Sequence, residues 1–171
     1  KGELKHLLDV CSGSGCISLA LSSVFQKAQI SGLDYSEEAV ELSEENALAL
    51  KLPVRYHHQD VMDALSLNTL LASKVKSNGL FDVVVSNPPY IPEKEKKQMD
   101  SNVLDYEPEL ALFVPNHDPL LFYRSIASAV YPYLSTNGSL YFECHYLYTE
   151  EVRDLLLQLG YQNVEKRRDL Q

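Results

Sequence analysis

Asn87-Pro88-Pro89-Tyr90 follows directly on the apolar run Phe81-Asp82-Val83-Val84-Val85-Ser86. Each proline fixes φ and lacks an N–H, so the carbonyls of this loop and the Asn87 side chain are available to a ligand instead of to a strand ladder. The Asn87 side-chain oxygen and the Pro88 carbonyl are two acceptors that match the two hydrogens of one planar NH2 group. Tyr90 adds a flat face with a polar tip. The chemistry indicated is a grip on an amide or amine nitrogen; the plain alternative is a proline-rich turn after a strand.

Three more polar signals lie elsewhere in the chain. In Asp9-Val10-Cys11-Ser12-Gly13-Ser14-Gly15, the glycines Gly13 and Gly15 either let the backbone pass close to a ligand or serve only a tight turn. Asp34, 19 residues past Gly15, offers a carboxylate that accepts from both hydroxyls of a ribose, or else starts the turn before Ser36. Asp60 is placed to accept from an exocyclic adenine amine or to cap a helix.

The elements that must position these residues alternate. Strands are expected at 4–10, 29–34, 54–58, 81–86, 139–144 and 161–168. Ile17, Ala20, Leu21 and Val24 form the apolar face of a first helix. A second is capped by Ser36, carries Glu37 and Glu38 in its first turn, and is stopped by Pro53. A third spans about 62–74. A fourth is capped by Asp118, with Pro119 at its first position and Tyr123, Ile126, Ala127 and Val130 facing inward. The last is capped by Thr149 and closed by Gly160. Residues 91–116 are irregular and charged, and read as a functional loop or a mobile one. This order predicts an α/β, Rossmann-like, doubly wound, mostly parallel sheet. Ligands of such sheets bind outside the carboxyl ends of the strands, near the switch point. The four signals follow strands one to four, so they converge on one rim.

The 171 residues read as one domain, 1–171, excised from a longer chain, since it starts at Lys1 without Met and stops at Gln171 just after strand-like sequence. Hydrophobic content of 45% and charged content of 23% are those of a globular protein. With no membrane-length apolar stretch and no signal peptide, a cytoplasmic location is expected. A net charge of −9 argues against a surface built to grip a phosphate backbone, which demotes nucleic acid as a substrate. Cys11, Cys16 and Cys144 form no CxxC pair and read as reduced packing residues. No metal is expected: His57 and His58 point to opposite strand faces, while Glu143, Cys144 and His145 alternate along one strand as packing residues. The run Glu93 to Lys97 reads as a solvated loop.

A dinucleotide fingerprint would place a third glycine where Ser18 stands, and no P-loop pattern occurs. A ribose-and-adenine ligand without a required phosphate remains, which S-adenosylmethionine fits. Asp9 to Gly15, Asp34, Asp60 and Asn87-Pro88-Pro89-Tyr90 together resemble the ordered motifs of class I S-adenosylmethionine-dependent methyltransferases that act on a planar nitrogen. Tyr106-Glu107-Pro108 with Ala111-Leu112, and Phe142-Glu143, narrow the resemblance to the HemK/PrmC family, over about residues 4–169. That family methylates the side-chain amide nitrogen of a glutamine in peptide chain release factors.

The resemblance implies that Asp9, Ser12, Gly13, Gly15, Asp34, Tyr35, Asp60, Val61 and Asn87 bind S-adenosylmethionine. It implies that Asn87, Pro88, Pro89, Tyr90, Glu107 and Pro108 receive a release factor, with Asn87, Pro88 and Tyr90 at the chemistry, in a monomeric enzyme. Cys11 departs from the family, which has glycine there, so the methionine part of the cofactor meets a bulkier residue. The family's N-terminal helical domain and last antiparallel strand are not visible between Lys1 and Gln171. An N6-adenine methyltransferase of DNA or RNA, and a cofactor-binding relic without activity, are the alternatives.

Overall fold

A computed structural model of the chain describes residues 3–98 and 112–168. Its centre is a five-stranded sheet of β1 (His6–Val10), β2 (Gln29–Asp34), β3 (Arg55–His58), β4 (Phe81–Ser86) and, after the short strands β5 (Ile91–Pro92) and β6 (Phe113–Val114), β7 (Leu134–Phe142). The spatial order is β3-β2-β1-β4-β7, and every neighbouring pair is parallel. The doubly wound class expected from the sequence therefore forms. The chain moves outward from β1 through β2 to β3, then returns to the other side of β1 to lay down β4. Its direction of winding reverses between β1 and β4, the place where such sheets open a ligand crevice.

The helices are α1 (Cys16–Val24), α2 (Glu37–Leu50), α3 (Ala64–Asn78), α4 (Leu121–Val130) and α5 (Thr149–Gln158). Strand alternation divides the core between the two faces of the sheet. Leu7, Ile30 and Tyr56 pack with Leu19 of α1 and Ala47 of α2. Leu8, Val10, Leu33 and Val84 pack with Leu67 and Leu71 of α3 and Ile126 and Val130 of α4. Tyr123 and Ala127 of α4 meet Val152 and Leu156 of α5 in a third cluster.

Several local expectations are met. Ser36 Oγ accepts from the Ala39 N–H at 3.1 Å at the start of α2. At the end of α5, the N–H groups of Gly160 (φ 97°) and Tyr161 donate to the Leu157 and Leu156 carbonyls, a Schellman closure. The same pattern, built on left-handed Lys51 (φ 56°), ends α2 before Pro53 is reached. The third helix starts after the cap Asp63 and continues to Asn78, where Gly79 lets the chain leave.

Others are corrected. Asp118 does not cap α4: its carboxylate pairs with both ends of the Arg124 guanidinium, at 2.8 and 3.1 Å, and the helix begins after Leu120. Thr149 is the first residue of α5, with Tyr148 at the cap position. The fifth main strand, β7, starts at Leu134 and stops at Phe142. It absorbs Asn137-Gly138 as a bulge, since Phe81 pairs with Leu134 but Val83 with Ser139. Residues 161–168 are not a strand: Asn163 is left-handed (φ 55°), which breaks the pleat, and no described strand pairs there. The described parts of the 91–116 region are less irregular than expected, because Glu93–Gln98 forms a 3-10 helix and β5 pairs with β6. Tyr106, Glu107, Pro108 and Ala111 lie outside the described residues. Among the described residues, no helix is long and apolar enough to cross a membrane.

Candidate active site

Strand register brings the sequence signals to one level. Val10 pairs with Leu33 on one side and Ser86 on the other, and Asp34 pairs with His58. Cys11, Asp34 and Asn87 therefore leave the sheet side by side across the switch point, with Asp60 just beyond the end of β3.

The loop from Asp9 to Gly15 is tied at both its inner and outer sides. Asp9 is fully buried, its Oδ2 accepts from the Ser18 N–H at 3.0 Å, and its Oδ1 has no partner among the described residues. Desolvation pushes its pKa up to about 6 against the hydrogen bonds from Ser18, and the nearby Asp34 charge adds to the rise. Cys11 (φ 60°), Gly13 (φ 52°) and Gly15 (φ 81°) are all left-handed. A glycine suits that conformation; Cys11 adopts it against the steric preference of its Cβ. Burial, with the Asp34 charge next in size, raises the Cys11 thiol to about 12, so it stays protonated.

Asp34 is first of all a clamp. Its Oδ2 accepts from the Gly13 N–H at 2.8 Å and its Oδ1 from the Ser36 N–H at 3.0 Å. Each carboxylate oxygen keeps a further acceptor site. Asn46 of α2 donates to the Ser14 carbonyl at 3.0 Å. The two glycines are required for different reasons. A Cβ on Gly15 would strike the Tyr56 ring and hydroxyl, whereas one on Gly13 would meet nothing within 4 Å. Gly13 thus faces open space.

Tyr56 was not among the sequence candidates, yet it anchors this loop. Buried in β3, it lies against Gly32 of β2, and its hydroxyl shares a 3.0 Å hydrogen bond with Ser18 Oγ, which in turn donates to the Gly15 carbonyl at 3.1 Å. The signal that could have found it is Gly32, a glycine inside a strand where another group comes close.

On the other side of the switch point Pro88 and Pro89 are buried and Asn87 is exposed. The Asn87 side chain makes no hydrogen bond to any described residue. Tyr90 is half-buried, and its hydroxyl donates to Glu143 Oε1 at 2.8 Å. Burial first, then that carboxylate, raises its pKa to about 12, so it remains a phenol. The Glu143 N–H donates to the Ser86 carbonyl at 3.0 Å, and the buried Tyr123 hydroxyl donates to the Glu143 carbonyl at 3.1 Å. His145 stands edge-on to Tyr90, with 6.0 Å between ring centres, and its Nε2 meets Glu95 Oε2 at 3.1 Å.

Two sequence readings change accordingly. Glu143, Cys144 and His145 do not alternate along a strand but follow the end of β7, where they support Tyr90. The Glu93–Lys97 run is not merely solvated, since Glu95 is bound to the buried His145.

The remaining candidates lie along the same rim. Asp60 Oδ1 accepts from the Met62 N–H at 2.7 Å, and Val61 is buried with its carbonyl taking the Ser125 hydroxyl at 2.5 Å. Tyr35 is 54% exposed, its ring 6.3 Å from that of His58. His58 pairs with Glu37 at 3.5 Å.

A parallel sheet whose first loop is glycine-bearing, with acids after the next two strands and Asn-Pro-Pro-Tyr after the fourth, has the architecture of the class I methyltransferases. The chain belongs to the methyltransferase small domain family, whose profile matches residues 1–105. It is 38% identical over 168 residues to a release factor glutamine methyltransferase of Bacteroides thetaiotaomicron, covering 98% of this chain and 57% of that protein. It is 36% identical over 170 residues to one of Flavobacterium psychrophilum, covering 98% and 56%. The chain thus spans little more than half the length of these relatives. In fold it is similar to a ribosomal protein L11 methylase of Lactobacillus delbrueckii, with a TM-score of 0.59 and 18% identity over 96% of this chain and 65% of that one.

A Cβ at position 32 would sit 2.5 Å from the Tyr56 ring and 2.9 Å from Ser12 Oγ. Gly32→Ala is expected to lower stability in urea by about 1–3 kcal/mol, as overpacking of a filled core does. A variant as stable as the parent would mean that Tyr56 does not brace the loop.

Proposed function

We propose that this chain is the catalytic part of an enzyme that transfers the methyl group of S-adenosylmethionine to the side-chain amide nitrogen of a glutamine in a peptide chain release factor. The observation carrying this reading is the Asn87 amide, exposed at the switch point beside the glycine-bearing loop and unengaged by any described residue. The names of the relatives at 36–38% identity support it. The enzyme of this reading acts in the cytoplasm as a monomer, on a protein and not on nucleic acid.

S-adenosylmethionine suits the residues present. Gly13 leaves room, Asp34 has acceptor sites left for two ribose hydroxyls, and Asp60 has a second oxygen for the adenine amine. Val61 and Tyr35 would flank the adenine. Asp9 Oδ1 and Ser12 Oγ, both buried and without a hydrogen-bond partner among the described residues, lie in the stretch that would receive the methionine part. When bound, the cofactor supplies an electrophilic methyl group on a cationic sulfur.

The chain's own task is placement. An amide nitrogen is a poor nucleophile because its lone pair is delocalised into the carbonyl. The Asn87 side-chain oxygen and the Pro88 carbonyl accept its two N–H bonds and aim the nitrogen in line with the methyl carbon. Tyr90, fixed by Glu143 and His145, covers the amide plane, and Pro89 keeps the loop rigid; Glu107 and Pro108 complete the contact with the release factor. The phenol of Tyr90 is too weakly acidic to act as a base at neutral pH, so the proton leaves to water once the nitrogen has been alkylated.

The test is transfer of labelled methyl from S-adenosylmethionine to a purified release factor or to duplex DNA. Label in the release factor, lost when its glutamine is replaced, is expected. Label in DNA alone would move the grip to an adenine amine. Asn87→Ala is expected to lower turnover about 100-fold or more while changing cofactor affinity by no more than about threefold; lost affinity would overturn this division of roles.

A second outcome follows from Asp9. A cationic ligand favours its carboxylate, whereas burial holds the free protein's carboxyl protonated below about pH 6. Affinity for S-adenosylmethionine should therefore rise as pH increases toward about 6 and level off above it. Calorimetry across that interval is the measurement, and Asp9→Asn should flatten the profile.

A further inference from the structure

At the end of the sheet opposite the candidate site lies a second cavity, of about 400 Å3, lined by His6, Ser31, Arg55, Lys74 and Asn78 among others. His6 opens β1, Arg55 opens β3 and Asn78 closes α3. Ser31 and Arg55 are direct register partners, so their side chains leave the same face of the sheet. Leu33, two residues on from Ser31, packs in the cluster that holds Leu67 and Leu71 of α3, so this is the face that Lys74 covers.

The cavity concentrates positive charge in a chain of net charge −9. Neither Arg55 nor Lys74 has a carboxylate within ion-pair distance among the described residues. The Lys74 ammonium instead donates to Nε2 of the half-buried His57. The carboxylate that does reach this edge, Asp82, is already engaged by the N–H groups of Lys5 and His6 at 2.9 and 3.2 Å and by the Ser135 hydroxyl at 3.3 Å. Ser31 is 5% exposed, and its hydroxyl has no hydrogen-bond partner among the described residues. A buried hydroxyl left unpaired beside two cations without a counter-ion is costly in the empty protein. An anion with several oxygens answers both deficits. Burial and then the Arg55 charge lower the Lys74 pKa in its absence.

We propose that this cavity binds a phosphate group. The Arg55 guanidinium takes two oxygens through its planar fork, Lys74 neutralises a third as a point charge, and the Ser31 hydroxyl donates from the floor. A carboxylate has two oxygens and would leave one of these donors unused. The volume is many times the roughly 30 Å3 share of one water, so a small organic group carrying the phosphate also has room. The site lies a strand's length from the rim and is independent of what the rim binds.

Calorimetry with inorganic phosphate and with ribose 5-phosphate, at matched ionic strength in chloride, tests the assignment. Saturable binding is expected. Arg55→Gln and Lys74→Met should each weaken it at least tenfold, and Arg153→Gln on α5 should leave it unchanged. Tighter binding of the sugar phosphate identifies an organic ester as the occupant; equal binding identifies the free ion. Without phosphate, Lys74→Met should melt no lower than the parent, because one of two repelling cations is gone; phosphate should raise the melting temperature of the parent but not of the variant. Absent or unsaturable binding, acetate binding as tight as phosphate, or full affinity in both variants would overturn the proposal. Because no cofactor or release factor enters these measurements, their failure leaves the methyl-transfer reading standing, and the reverse also holds.

Discussion

The contact on which the site depends most is the one between Tyr56 and the first helix, made across Gly32. A tyrosine in β3 can reach Ser18 of α1 only if β2 has no side chain in the way and the loop residue beside it, Gly15, has none either. Ser18 then serves both sides: its hydroxyl bonds the Gly15 carbonyl and its N–H bonds the buried carboxyl of Asp9. Two strands and one helix are thus joined, across a third strand, through a few polar atoms removed from water. Each such bond is worth about 1 kcal/mol net, but leaving one partner unpaired costs about 1–3 kcal/mol. The group is therefore kept or lost as a unit, and with it the left-handed path from Cys11 to Gly15.

The two halves of the site are built on opposite rules. In the loop after β1, backbone donors are used inward: Asp34 and Asp9 accept from them, so the loop is rigid before any ligand arrives. In the Asn87 loop, prolines remove donors and the Asn87 amide has no hydrogen-bond partner among the described residues. Rigidity there comes from Tyr90, held through Glu143 to Tyr123 and from the side by His145. One half is shaped by what it binds within the protein; the other keeps its hydrogen-bonding capacity for a visitor.

The sheet and the rim could be read from the chain because their signals are local. Apolar runs at 6–10, 29–34 and 81–86 are bounded by turn residues; the second and third end in the polar Asp34 and Ser86, and the first carries Asp9 next to its last residue. What could not be read depends on residues distant in sequence. Tyr56 looks like any strand aromatic until Gly32 is seen beneath it. Glu143 and His145 acquire a role only when β7 lies beside β4. Asp118 and Thr149 have the right chemistry for caps, but Arg124 takes the first and the helix starts one residue early at the second, with Tyr148 at its cap position. Residues 161–168 have the composition of a strand, yet pairing requires a neighbour, and Asn163 turns the backbone away. Cys11 was legible as a departure from glycine, while its positive φ was not.

The two ends of the sheet carry opposite electrostatics. Asp9 and Asp34 lie at the carboxyl ends of β1 and β2, and Asp60 just beyond that of β3; the Asp34 charge is felt at Asp9, and the charges of all three are felt at Cys11. Three carboxyls gathered around a loop, one of them fully desolvated, disfavour any anion and reward a cation. The third glycine of a dinucleotide fingerprint is absent at Ser18, and the charge of these groups favours a sulfonium over an anion. At the amino ends Arg55 and Lys74 set the reverse preference. The strands between are roughly 15 Å long, so the two ends of the sheet present opposite charge to separate ligands.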